Sequence, residues 1–204
     1  MSICVPALKC LAPVPDNIWN ILQDEISSWD YQNASYSYDG AFLQHKIKPY
    51  LIVSPGLITD VPANIDTVIN WCKTIIGNEY VAIRCFLNLI EPEREFPIHV
   101  DTLMLHSVSK RLHISLNNVE DCYYYTYTKV DEEYVSTEHT MDLRNLYELD
   151  NINPHSVSNK GKHSRINFIV DMIPITEIGP DLLKVDMTQM HIFRDLRISF
   201  RRIP

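Results

Sequence analysis

Three residues of metal-binding types and one cation are spaced so that they could form a single reaction site. His99 and Asp101 stand in "IHVD", two positions apart, so both side chains leave the same face of an extended strand. His155 and Arg165 follow later, on either side of a loop that contains Gly161. Two imidazoles and one carboxylate can fill one triangular face of an octahedral metal, which is the ligand set of non-haem Fe(II) oxygenases.

Arg165 extends this prediction from a metal to a co-substrate. A dicarboxylate that chelates the metal at one end needs a cation for its far carboxylate, and arginine supplies a planar fork with a permanent charge. Other interpretations stay open at this point. Arg165 could pair with a protein carboxylate, and His99 with Asp101 could be a structural hydrogen-bonded pair. Zinc accepts similar ligands, usually with four protein ligands or a bound water. His106 is a competing ligand.

Alternating strands are the elements that would position these residues. From residue 79 the apolar residues recur with period two, as in "YVAIRCFLNLI", "RLHISL" and "RINFIVDM". Arg111 and His113 share one face of such a strand. The earlier segments "PDNIWNILQDEISSW" and "VPANIDTVINWCKTII" have helical spacing, and the second has a proline near its start. The pattern predicts a mainly β fold, a sandwich or barrel, with flanking helices.

The chain length allows one domain with a full core, 204 residues in all. We expect a helical N-terminal layer over 1–78, a β core over 79–173 and a C-terminal extension over 174–204. The net charge of -8 argues against nucleic acid as a partner. No apolar run approaches the roughly 18 residues of a membrane span, so no membrane partner is expected.

The cysteine pattern indicates reduced thiols. The five cysteines have irregular spacing and no C-x-x-C motif. Such a pattern favours free thiols over a disulfide framework, and it argues against a zinc ribbon for the same reason. Together with the lack of a recognisable signal peptide, it predicts a cytoplasmic protein. The cysteines are Cys4, Cys10, Cys72, Cys85 and Cys122.

Three segments resemble one branch of a known enzyme superfamily. "FPIHVD", "KRLHISL" and "YELDNINPHSVSNKGKHSRINFIVD" are similar to the aspartyl/asparaginyl β-hydroxylase branch of the Fe(II)/2-oxoglutarate dioxygenases. The resemblance covers about residues 79–173. Its last segment is the most specific, because the distal histidine, the following arginine and the residues between them fall in register without gaps.

The resemblance implies a fold, a cofactor and a reaction. The fold would be a double-stranded β-helix, also called a jelly-roll or cupin fold. Fe(II) would be held by His99, Asp101 and His155, and the far carboxylate of 2-oxoglutarate by Arg165. Arg111 and His113 would lie near the co-substrate or the substrate. The reaction would use O2 to hydroxylate a C–H bond while 2-oxoglutarate is converted to succinate and CO2.

The substrate follows only from the kind of enzyme that the segments resemble. It would be amino-acid-like, either a peptide or protein side chain or a free amino acid or derivative, and Arg111 could hold a substrate carboxylate. Two alternatives remain. The chain could be a non-catalytic binding protein on the same fold, or a cupin enzyme that uses another metal, such as zinc or manganese, without 2-oxoglutarate. Arg165 argues against the second, because such enzymes have no dicarboxylate to hold.

Overall fold

Two antiparallel β-sheets that face each other form the centre of the molecule. The computed structural model describes residues 8–33, 45–52, 61–101, 109–117, 120–130, 133–177 and 190–192, and for some of these, Asp101 among them, the backbone alone. The six strands of the larger sheet are, in spatial order, β1 (Leu8–Pro13), β8 (Asn145–Leu149), β5 (Lys110–Ser115), β10 (Arg165–Pro174), β3 (Tyr80–Ile90) and β2 (His45–Ile52). The five strands of the smaller sheet are β11 (Met190–Ile192), β4 (Arg94–Asp101), β9 (His155–Asn159), β6 (Cys122–Val130) and β7 (Glu133–His139).

Two amphipathic helices cover the outer face of the larger sheet. They are α1 (Asp16–Ser27) and α2 (Ala63–Ile76), and each follows a proline, which the first turn of a helix tolerates well. α2 ends at Gly77, whose φ of 121° is a conformation that side chains rarely allow. The apolar stripes of both helices pack on the sheet. The buried contributors from the helices are Ile18, Leu22, Ile65, Val68, Ile69 and Cys72.

Strand β10 is an inner strand of the larger sheet, with the helices on one of its faces and the smaller sheet on the other. All its residues except Pro174 are buried, because helices cover one face and the smaller sheet faces the other. Its helix-side residues are apolar and join the main core: Ile166, Phe168, Val170 and Met172. The opposite face carries Arg165, Asn167, Ile169 and Asp171. The polar residues of β10 therefore point into the space between the two sheets, which is where a ligand would lie.

The loop between β9 and β10 is held by one asparagine. The Asn159 amide nitrogen donates to the carbonyls of Ile90, Glu91 and His163, and its oxygen accepts the N–H of Gly161. A Cβ on Gly161 would lie 2.8 Å from the Glu120 carbonyl oxygen, so glycine is required by close packing. This arrangement ties the end of the smaller sheet to the strand pair β3 and β10.

The structure contains both predicted helices and the strands predicted within 79–173, and it adds strands at both ends of the chain. Residues 1–78 were expected to be helical, yet they also supply β1 and β2, the two edge strands of the larger sheet. The extension 174–204 supplies a 3-10 helix (Ile175–Glu177) and β11, which pairs with β4. Periodicity over the core strands did not reveal these edges, which pair with strands far away in the sequence.

The four cysteines that the structure describes are free, as predicted. Three of them, Cys72, Cys85 and Cys122, are buried. Within the described ranges, no helix is both long and apolar enough to span a membrane.

Candidate active site

The two predicted histidine ligands lie side by side on neighbouring strands of the smaller sheet. His99 and His155 face each other in the register of β4 and β9, and their ring centroids are 4.2 Å apart. Both are buried, with 4% and 2% of their surface exposed. Each ring donates from Nδ1 to a backbone carbonyl, of Pro97 at 2.7 Å and of Asn153 at 3.0 Å. Since a carbonyl can only accept, these bonds fix the proton on Nδ1 and leave the lone pair on Nε2.

This geometry fits a metal site. Ligating histidines usually donate their second nitrogen to a carbonyl or carboxylate, which fixes ring orientation and tautomer. Asp101, the third predicted ligand, lies two residues beyond His99 in β4, but only its backbone belongs to the described structure. Among the described side chains, no group of three or more His, Cys, Asp or Glu residues forms a metal cluster. The aspartate therefore stays a prediction, as does the competing ligand His106, which lies outside the described residues.

The strand directions set the order of the site residues along the interior. Asn159 at the end of β9 binds the Ile90 carbonyl, and Ile90 pairs with Arg165 at the start of β10. From that common end, His155 lies four residues along β9, about 13 Å away. Asp171 lies six residues along β10, about 20 Å away in the same general direction. Arg165 thus marks one end of the interior, the histidines follow, and Asp171 lies further along.

Arg165 is a buried cation to which no described carboxylate is bound. Only 2% of its surface is exposed. Its Nη1 has no hydrogen-bond partner, and its Nη2 contacts the Met141 sulfur at 3.5 Å. The Asn167 amide satisfies its neighbours best with its oxygen towards Arg165, where that oxygen accepts from Nε at 3.2 Å and from Nη2 at 3.1 Å. Burial lowers the pKa of Arg165, and the Cys122 thiol and the Tyr124 phenol act in the opposite direction.

Arg165 therefore retains unused hydrogen-bonding capacity. The alternative hypothesis of a salt bridge to a protein carboxylate has no support among the described residues. A buried, incompletely bonded guanidinium is costly unless an anion neutralises it. The geometry suits the terminal carboxylate of a ligand.

His113 lies on the inner face of the same sheet and is also unsatisfied. Neither ring nitrogen has a hydrogen-bond partner among the residues that the structure describes. Burial is the largest cause that lowers its pKa, to about 3, and the nearby Arg165 lowers it further. The ring is therefore neutral near pH 7, with one nitrogen able to donate and the other able to accept. This is consistent with its predicted contact to a co-substrate or substrate.

Arg111 is engaged by a protein carboxylate. Its Nε donates to Asp171 Oδ1 at 2.7 Å and its Nη2 to Oδ2 at 3.1 Å. Arg84 binds the same carboxylate, through Nε at 2.6 Å and Nη2 at 2.5 Å, both to Oδ2. The proposed contact between Arg111 and a ligand stays a prediction, while Arg84, which the sequence analysis did not single out, enters the site.

Four further polar residues line the interior without having been predicted. The Tyr124 ring lies 5.6 Å from the ring of His155, and its buried hydroxyl has no partner. Asn88, in register with Asn167, has an unbonded buried oxygen. Thr126 pairs with His155 in the sheet, and its hydroxyl is hydrogen-bonded to His139 Nε2 at 2.9 Å. Burial lowers the pKa of His139.

The alternation of side chains along β6 could have indicated that Tyr124 and Thr126 lie on one face of the sheet. In "CYYYTYT", Cys122, Tyr124 and Thr126 share a face, but the sequence does not show whether that face or the opposite one turns inward. Register answers this, because Thr126 pairs with His155 and Cys122 with Asn159.

Solved structures with a similar fold include proteins described as 2OG-Fe(II) or α-ketoglutarate-dependent enzymes. A non-haem α-ketoglutarate-dependent carbocyclase of nogalamycin biosynthesis, SnoK, gives a TM-score of 0.59 at 10% identity, over 82% of this chain and 79% of that one. A prolyl-4-hydroxylase from Pseudomonas putida gives 0.55 at 13% identity, over 82% and 91%. A 2OG-Fe(II) oxygenase family protein from Burkholderia pseudomallei gives 0.52 at 9% identity, over 75% and 77%.

These similarities confirm the predicted double-stranded β-helix fold. No family model and no curated protein matches the sequence. The structural relatives belong to the wider 2-oxoglutarate oxygenase superfamily, and the aspartyl/asparaginyl hydroxylase branch that the sequence resembles remains a prediction.

Proposed function

We propose that this protein is an Fe(II)- and 2-oxoglutarate-dependent dioxygenase that hydroxylates a C–H bond of an amino-acid-like substrate. His99 and His155 would hold the iron through Nε2, with Asp101 as the carboxylate ligand. When bound, the iron supplies the oxidation of a C–H bond by O2, coupled to the conversion of 2-oxoglutarate to succinate and CO2. The residues around it bind and orient the two organic reactants.

One observation carries the proposal: the unsatisfied buried polar atoms of the described chain all lie on the inner faces of the sheets. They are Asn88 Oδ1, His113 Nδ1 and Nε2, Tyr124 Oη and Arg165 Nη1. The interiors of folded proteins leave few buried polar groups without a hydrogen bond, so each such group needs a physical explanation. Three of the residues can donate hydrogen bonds and one is a cation, which together match an anionic ligand with several oxygen atoms.

The chain's own residues would bind 2-oxoglutarate as follows. Arg165 Nη1 would donate to the carboxylate furthest from the metal, with the other guanidinium nitrogens fixed by Asn167. The Tyr124 hydroxyl keeps its proton because burial raises its pKa, so it can donate to the same group. His113, neutral at pH 7, would donate one further hydrogen bond. The buried surroundings exclude water and strengthen each of these bonds.

Substrate identity is part of the proposal and rests on the sequence resemblance alone. A peptide side chain and a free amino acid or derivative both fit it. The protein would act in the cytoplasm, without nucleic acid or a membrane as partner. If the oxygenase proposal fails, two alternatives replace it: a non-catalytic binding protein on the same fold, or a cupin enzyme that uses another metal without 2-oxoglutarate.

The experiment measures succinate formation from 2-oxoglutarate by the purified protein with Fe(II), ascorbate and air. We expect slow, iron-dependent turnover even without substrate, absent in His99→Ala, His155→Ala and Arg165→Met. His163→Ala is the matched control, because His163 is an exposed histidine in the loop between β9 and β10. Anaerobic titration with Fe(II) and 2-oxoglutarate should produce a weak visible charge-transfer band. If both signals are missing, the oxygenase proposal is wrong.

A further inference from the structure

Two arginines share one buried carboxylate beyond the histidine pair. Asp171 is fully buried, and it accepts hydrogen bonds from Arg111 at both oxygens and from Arg84 at Oδ2 alone. The pairing with Arg111 is the bidentate one, in which two nitrogens meet two oxygens. Two guanidinium groups thus meet at one carboxylate, and Arg84, which reaches one of its oxygens alone, is the more weakly matched to it.

Arg84 faces the space between the sheets and is partly exposed to solvent. Its neighbours in β3, Cys85, Leu87 and Leu89, belong to the helix-side core, so Arg84 and Phe86 point the opposite way. The Arg84 side chain is 21% exposed, against 8% for Arg111 and 1% for Asp171. Its guanidinium carbon lies 5.3 Å from the centre of the Phe86 ring, which supports the flat group from the side.

The position of Arg84 separates it from the 2-oxoglutarate end. Arg84 pairs with Asp171, about 20 Å along β10 from Arg165, with the histidines between these two levels. A ligand carboxylate at Arg84 would therefore belong to a second molecule, on the opposite side of the metal from the far end of 2-oxoglutarate.

We propose that Arg84 selects substrates that carry a carboxylate, and that it is held in place for this by Asp171 and Phe86. This inference rests on the proposed function and names its substrate class: an amino-acid-like molecule recognised through an anionic group. Arg111 then acts as the structural partner that holds the Asp171 carboxylate in place. Loss of one charge-assisted hydrogen-bonded pair should weaken carboxylate binding by about 10-fold or more.

The test uses pairs of probes that differ only in a carboxylate and an amide. N-acetylated, C-amidated aspartate and asparagine, the corresponding glutamate and glutamine derivatives, and alanine with alaninamide are titrated calorimetrically, without oxygen, into protein holding Fe(II) and saturating 2-oxoglutarate. We expect the acid of at least one pair to bind about 10-fold more tightly than the amide. Arg84→Gln should remove that preference and Arg84→Lys should keep part of it.

Lys110→Gln is the control, because Lys110 lies nearby on β5 but is matched one to one by Glu148 at 2.7 Å. The inference is overturned if no acid binds better than its amide, if nothing binds, or if Arg84→Gln keeps the preference. Titration with 2-oxoglutarate alone reads the Arg165 end separately. Loss of that binding with an intact carboxylate preference would overturn the proposed function and leave the Arg84 assignment standing.

Discussion

Replacing Arg165 by methionine should stabilise the ligand-free protein while abolishing its use of 2-oxoglutarate. Arg165 is almost fully buried, and its only described hydrogen-bond partners are the Asn167 amide oxygen and the Met141 sulfur. A buried charge without a counter-charge costs several kcal/mol, and exchanging buried ionic groups for apolar ones of similar volume often gains 1–4 kcal/mol. Allowing for imperfect packing, we expect Arg165→Met to raise the free energy of unfolding by about 1–3 kcal/mol.

Arg111→Met is the matched comparison on the neighbouring strand. Arg111 is also buried, but it forms a bidentate pair with Asp171. Breaking such a pair costs about 3–5 kcal/mol, and since Arg84 still neutralises Asp171, we expect the lower end of that range. The two substitutions exchange the same residue types and should change stability in opposite directions.

Urea unfolding followed by tryptophan fluorescence measures both effects, because Trp19, Trp29 and Trp71 all lie in or near the helical layer. Adding 2-oxoglutarate at about 100 times its Kd should raise the free energy of unfolding of the unsubstituted protein by about 2.7 kcal/mol. The same addition should leave the free energy of unfolding of Arg165→Met unchanged. The reasoning is refuted if Arg165→Met lowers the free energy of unfolding as much as Arg111→Met does. That result would mean that Arg165 is already neutralised within the protein.

Four further outcomes are expected. Burial lowers the pKa of His113 from about 6.5 in the unfolded chain to about 3 in the folded protein, so the free energy of unfolding should fall as the pH drops below 6.5, by up to about 1.4 kcal/mol per pH unit. Urea midpoints at several pH values should show this fall, and His113→Phe should remove the pH dependence. Tyr124→Phe should raise the urea midpoint of the ligand-free protein, because it removes a buried hydroxyl without a partner, yet weaken 2-oxoglutarate binding about 10-fold in anaerobic titrations. Phe168→Ala should cost about 3–5 kcal/mol by urea unfolding, because the ring is fully buried under the helices. Gly161→Ala should lower the free energy of unfolding by about 1–3 kcal/mol, because the added Cβ would lie 2.8 Å from the Glu120 carbonyl oxygen.

Local patterns predicted most of the core elements, because those elements bury one face. The period of 3.6 in α1 and α2 and the period of two in β3, β5 and β10 each follow from an apolar face that the main core requires. The edge strands β1 and β2 lie outside the predicted β core, in the stretch that was expected to be helical. Their pairing partners, β8 and β3, come much later in the chain.

The candidate site was predictable only where residue chemistry and spacing were enough. His99, His155 and Arg165 were predicted because their types are specific and the segments that carry them resemble known enzymes, and their roles stay predictions. Arg84 could not be found, since its relation to Asp171 depends on the register of β3 against β10. Tyr124 and Asn88 are ordinary strand residues until the facing sheet shows that their polar atoms are buried without partners.

The two faces of β10 explain how the fold tolerates so polar an interior. On the helix side, four apolar residues of β10 join a core that extends across both helices and five strands of the sheet, and burial of such side chains contributes about 1.5–3 kcal/mol each. On the other side, Arg165 and the unsatisfied groups near it lower stability until a ligand binds. Because burial of the helix-side core stabilises the folded state, the inner face can keep groups whose hydrogen bonds are completed only by a ligand. Ligand binding and stability are therefore coupled through the same residues, so 2-oxoglutarate should protect β10 and β5 from hydrogen exchange more than it protects α1.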